Sequence, residues 1–228
     1  MPIQNPNVNG IAAIVERMVD HPATAAVRSE ALKLRQRAVA LDGMNSNRRP
    51  VDTPAAHALK VAKEARAFDK EVTTALNRAL FSHGESRQRL ERRIAEKVNF
   101  KIDGDDAREI RAVLRAMKPA DRVKAVEKMV EEGRGPELHA VVSGTELTTG
   151  IHDNLRNAFR DKFVAKHAAP ELEEQQRIED ALESFVAAQR AAGKFVRELT
   201  DPGKLADIER ADAAAVAAAE AFSQSLQP

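Results

Sequence analysis

Apolar residues recur every three or four positions along almost the whole chain, from about Val8 to Leu226, with Pro, Gly, Asp and Thr at the breaks. That spacing marks one face of an α-helix, and almost no stretch alternates as a half-buried strand does. The pattern predicts an all-α protein: a multi-helix, coiled-coil-like bundle, compact or elongated. Residues 1–7, with Pro2 and Pro6, read as an extended arm. Val8, Ile11, Ile14, Val15, Met18 and Val19 then predict a short amphipathic helix, ended by His21-Pro22. A second helix carries Val27, Leu32, Leu34, Ala38 and Leu41 and closes at Asp42-Gly43, ahead of a polar loop from Gly43 to Asp52.

Thr53 suits an N-cap and Pro54 a first helical turn. From there Leu59, Phe68, Val72 and Leu76 keep a nearly heptad rhythm up to Gly84. That makes roughly 45 Å of helix with a coiled-coil-like seam. A separate charged helix with Leu90, Ile94 and Val98 follows and ends near Phe100. Ile102-Asp103-Gly104 turns into a helix with Ala107, Ile110, Val113 and Leu114 inward, and Lys118-Pro119 breaks it. The next helix holds Val123, Val126, Met129 and Val130 and stops at Gly133.

Residues 133–150 contain four Gly and one Pro, the strongest composition break in the chain. The expected organisation is an N-terminal helical region at 1–132, a Gly-rich connector at 133–150 and a C-terminal helical region at 151–228. In the last region Ile151, Leu155, Phe159 and Phe163 line one helix and Leu172 to Leu199 a longer one. After Asp201-Pro202-Gly203, the residues Leu205, Ile208, Ala211, Ala215 and Phe222 line the final helix. So short a link predicts a C-terminal antiparallel hairpin.

Composition refines this picture. Hydrophobic residues make up 43% of the chain, but many are Ala. Alanine favours helix while burying little surface. The core should therefore be thin and drawn along helix seams, of a kind that partner chains complete. Absence of Cys excludes disulfides and thiolate chemistry. Trp and Tyr are absent too, and the formal net charge of +1 argues against a general polyanion binder. No apolar run approaches the roughly 18–20 residues that span a bilayer. The N-terminal MPIQNPNVNG lacks the basic region and cleavage site of a signal peptide.

Several side-chain groupings suggest chemistry, and each competes with an ordinary structural role. Asp103, Asp105 and Asp106 suggest a calcium loop, but the sixth position from Asp103 is Arg108 and the twelfth is Leu114. An EF-hand needs Gly and Glu there, so helix capping is the better account. The six His (His21, His57, His83, His139, His152 and His167) show no metal-ligand spacing and suit surface or cap positions. No GxSxG, P-loop or GxGxxG occurs. No catalytic residue, metal or cofactor is assigned, and the expectation is a protein that is not an enzyme.

The densest charge run is Arg87, Arg89, Arg92, Arg93 and Lys97. Arg89, Arg93 and Lys97 share a helix face, which nucleic acid phosphates would meet. Glu85, Glu91 and Glu96 interleave with them, so a solvated or partner-facing helix competes with that reading.

The segment from Gly144 to Leu172 carries Leu147-Thr148-Thr149-Gly150-Ile151, a helix, then Ala169-Pro170-Glu171-Leu172. It resembles helical virion and assembly proteins of tailed bacteriophages, in which a turn with L-S-G-L precedes a helix and A-P-E-L opens a long charged one. Here Thr149 stands where Ser is usual and Ile151 where Leu is usual. The resemblance implies a non-enzymatic scaffold, internal head or ejection part, or head–tail accessory component. It implies a homo-oligomer that binds another phage structural protein, in the host cytoplasm during assembly or in the virion. The candidate contact residues are Phe195, Leu205, Ile208 and Phe222 for apolar packing and Arg89 and Arg93 for charge. The alternative is a helical adaptor that binds nucleic acid through the arginine helix.

Overall fold

The computed structural model describes residues 5–225, and side chains as far as Ala218. The described residues form helices and turns, with no strand among them. In chain order the helices are α1 (Pro6–Arg17), α2 (Ala25–Ser46), α3 (Pro54–Val98), α4 (Gly104–Ala116), α5 (Pro119–Glu132), α6 (Gly135–Val142), α7 (Glu146–Thr149), α8 (Asp153–His167), α9 (Ala169–Leu199) and α10 (Pro202–Ser225).

Local sequence explains most of the ends. Asn5 caps α1 by accepting from the Asn7 N–H at 2.8 Å, and Pro6 occupies the first position. The Thr53 hydroxyl accepts from the Ala56 N–H at 3.1 Å at the start of α3. Asp103 does the same for Asp105 at 2.9 Å in α4, with Asp105 and Asp106 in the first turn. The aspartate cluster is thus a cap that also complements the helix dipole.

Helix α1 begins at Pro6, inside the stretch expected as an extended arm, and two further helices outrun their expected ends. Helix α2 runs past Gly43 to Ser46, and α3 runs through Gly84 for 45 residues, about 67 Å. Both glycines have open space around them. A lone glycine costs about 1 kcal/mol against Ala, too little to stop a helix with several turns on either side.

The chain forms two compact units. Unit 1 comprises residues 1–84 and 177–228 and unit 2 comprises residues 85–176. Helices α3 and α9 each contribute to both. The core of unit 1 joins Val8, Ile11 and Val15 of α1 to Leu34 of α2, Phe68 of α3 and Phe185 and Phe195 of α9. Eight of its 21 buried residues are Ala, so the helices meet along narrow seams. Unit 2 is built of short helices around Leu114, Val126, Leu138, Phe159 and Phe163. Only one of its 11 buried core residues is Ala.

Residues 133–150, expected as a connector, lie inside unit 2 and hold α6 and α7. Leu138 and Val141 are fully buried there. Gly135 is required by close packing, because a Cβ at this position would collide with the Val98 carbonyl. Gly150 ends α7 in the left-handed region at φ 68°, a conformation that glycine alone adopts freely.

Candidate functional site

The arginine run of α3 is mostly committed within unit 2. Arg93 donates to Glu174 at 2.8 Å and to Glu171 at 3.4 Å, and the Lys97 ammonium lies 2.8 Å from Glu171. Glu171 sits in the first turn of α9 and is only 2% exposed. Its carboxyl is held below the usual range, first by the hydrogen bond from Lys97, against the opposing effect of desolvation. Arg89 is exposed and donates to the Ser86 hydroxyl at 3.2 Å. Arg93 and Lys97 therefore hold α3 to α9 and do not line up with Arg89 as a free cationic stripe.

A second set of arginines, separated from their partners by 3 to 32 residues, ties off helix ends in unit 2. Arg122 donates to the carbonyls of Leu114, Arg115, Met117 and Gly150. Arg111 reaches the Ala140 carbonyl at 2.7 Å and the Ser143 hydroxyl at 2.9 Å. Arg156 is buried and donates to the Gly144 carbonyl and to Asp153. The last carbonyls of a helix have no partner within it, and a guanidinium fork satisfies several at once.

The histidines occupy structural places. His152 Nδ1 accepts from Asn154 N at 3.3 Å as a cap, and His21 Nδ1 accepts from Ala23 N at 3.2 Å. His139, Phe100, Phe163 and His167 form a continuous ring stack, with centroid separations of 5.8, 5.4 and 4.4 Å. Among the described residues no three His, Asp or Glu side chains converge as a metal site.

Phe195 is fully buried in the core of unit 1 and Leu205 nearly so, which makes both packing residues within the chain. Ile208 is half-buried. Phe222 lies in α10, but its side chain is outside the described residues. Val113 and Leu155, expected to point inward, are partly or largely exposed at 52% and 37%.

Two surface depressions stand out among the described residues. In unit 1, three adjoining cavities share Arg37 and Phe68, then Glu30, Thr74 and Arg78, and so make one groove along α2 and α3. Its floor is the edge of the core, where Leu34, Leu41, Phe68, Val72 and Ala75 are each at most 8% exposed, and the exposed ring of Phe81 stands at one end. Lys33, Arg37, Arg49, Lys60, Lys70 and Arg78 line it with positive charge. Glu30, Asp52, Glu64 and Glu71 oppose them, leaving an excess of two positive charges. The Arg37–Glu71 pair bridges α2 and α3 with contacts of 2.6 and 2.8 Å. Its hydrogen bond holds the Glu71 carboxyl below its ordinary value.

In unit 2, Ile110, Val113, Met117, Ala125 and Met129 line a cavity between α4 and α5. Its charges are Asp106, Glu109 and Glu137 against Lys128 and Arg134, a net negative rim.

Helix α10 has the opposite character. From Ala213 to Ala218 every residue is exposed, and from Ala206 to Ala211 only Ile208 is partly covered. Val216 is 52% exposed. No described helix is long and apolar enough to cross a membrane. Comparison with protein-family models, curated proteins and solved structures finds no match for this chain. The architecture and surfaces define an all-helical protein and leave function to be argued from them.

Proposed function

We propose that this chain is a non-enzymatic assembly part of a tailed-phage particle, acting by helix-to-helix contact with copies of itself and with another structural protein. The observation that carries the reading is α10, an Ala-rich helix with its sides open along most of the described length. An isolated helix of this size is marginal in water and gains its stability from packing. The phage setting rests on the resemblance of residues 144–172.

In this reading the C-terminal antiparallel hairpin closes only near Leu205, and the rest of α10 completes a coiled-coil-like seam on a neighbour. Many weak contacts of this kind reinforce one another in a repeated assembly. The protein would work in the host cytoplasm during assembly, in the virion, or in both. Binding of nucleic acid through the arginine helix is the weaker reading, since Arg93 and Lys97 are paired with Glu171 and Glu174.

Co-purification from infected cells tests the proposal. The chain is expected in assembling or finished particles, alongside a structural protein. Isolation as a free single chain with no particle association would remove it.

A further inference from the structure

We propose that α10 of one copy seats in the α2–α3 groove of a second copy, an inference that rests on the self-association reading above. Three properties of the chain match these two surfaces.

The first is length. The groove extends along α3 from His57 to Phe81, about 36 Å at 1.5 Å per residue. Helix α10 from Leu205 to Ser225 is about 30 Å long.

The second is charge. Helix α10 carries Asp207, Glu209, Asp212 and Glu220 against Lys204 and Arg210, an excess of two negative charges. The groove has an excess of two positive charges. The α4–α5 cavity, the other apolar surface, has a negative rim and would repel the same helix. Charge complementarity of this sort selects the partner and the register more than it sets affinity.

The third is shape. Ile208, Ala211, Ala215 and Val216 fall within one broad side of α10 at helical spacing, with Asp212 among them. Small side chains allow a helix to lie close along the shallow α2–α3 groove. The ring of Phe81, 69% exposed at the groove's end, then has a neighbour to pack on. Exposed aromatic rings that become buried are the usual anchors of an interface. The contact is a small-residue helix laid in a groove.

The test uses the full chain, and the lack of cysteine makes every engineered cysteine unique. Wild-type protein in light scattering should show a mass rising with concentration above the 25.0 kDa of one chain. Ala215→Arg and Phe81→Glu alter exposed positions, so their thermal melts should match wild type. Each should weaken association by about tenfold or more, while Val113→Glu in the other cavity leaves it unchanged. Mixing Ala215→Cys chains with Thr74→Cys chains under oxidation should give a mixed disulfide dimer. Mixing Ala215→Cys with Val113→Cys should not. Unchanged association in either charge variant, or no product between positions 215 and 74, overturns this inference and leaves self-association standing. A mass of one chain at every concentration overturns both.

Discussion

The two units solve the same problem with different materials. Unit 1 uses long helices and small side chains, with Ala31, Ala38, Ala65 and Ala188 fully buried at their crossings. Its cohesion is spread thinly over length. Unit 2 uses short helices and large side chains, and compensates for the many helix ends with arginines. A short helix has as many orphaned carbonyls as a long one, so a unit built from short pieces needs more partners for them. The difference also shapes the surface of unit 1. A narrow seam between two long helices leaves a shallow groove beside it, whereas Phe159, Phe163 and Leu138 fill the middle of unit 2.

The contrast predicts where each unit is fragile. The largest effect should come from Phe163→Ala in unit 2. This ring is 1% exposed and stacks on Phe100 and His167, so its removal should cost about 3–5 kcal/mol in denaturant unfolding. Loss below 1 kcal/mol would mean that unit 2 is loosely packed.

Unit 1 should fail in the opposite direction, by overfilling. Ala188→Leu adds volume at a fully buried crossing and should destabilise by about 1–3 kcal/mol. A stabilising Ala188→Leu would show that the seam has room and would erase the contrast.

Arg122→Ala tests the arginine ties. It strips four carbonyls of their donor and should cost about 1–3 kcal/mol, seen as a lower melting temperature. Gly150→Ala should act on the same corner, through its positive φ and a collision with the Arg122 guanidinium.

Acid should weaken both units through their carboxylates. Glu71 in unit 1 and Glu131 and Glu171 in unit 2 are all held below the ordinary glutamate range, each first by a side-chain hydrogen bond. The partners are Arg37, Lys166 and Lys97. A folded state that binds its proton less readily than the unfolded chain keeps this stability above about pH 5 and loses it as pH falls through the folded values. Glu171→Gln should flatten the acid side of a melting-temperature profile and leave the neutral-to-alkaline side parallel to wild type. An unchanged acid slope would mean that Lys97 and Arg93 do not hold this carboxylate. Arg89→Ala is expected to do least, within about 0.5 kcal/mol, since Arg89 is exposed and reaches only Ser86.

The helical class and most helix ends were legible because each signal is local. Thr53, Asp103, Pro119 and Gly150 mark boundaries through their own backbone and side-chain chemistry. The exceptions have a common cause. Gly43 and Gly84 resemble breaks, but long flanking turns outweigh a single glycine. The glycines of 133–150 resemble a linker, yet Leu138 and Val141 pull that stretch into a core whose other members are distant in sequence. The arginine ties were invisible for the same reason, because the carbonyls that Arg122 and Arg111 reach lie up to 29 positions away. Phe195 and Leu205 were candidate contacts by pattern alone, since periodicity cannot separate a core face from a face awaiting another chain. The α2–α3 groove has no sequence signature, because it is the space between two helices.

The central claim is that this chain works by joining to copies of itself. Its most direct test is the absolute mass of the full-length protein by light scattering over a wide concentration range. Self-association predicts a mass that climbs above 25.0 kDa towards multiples of it as concentration increases. A constant 25.0 kDa up to the highest soluble concentration would contradict it.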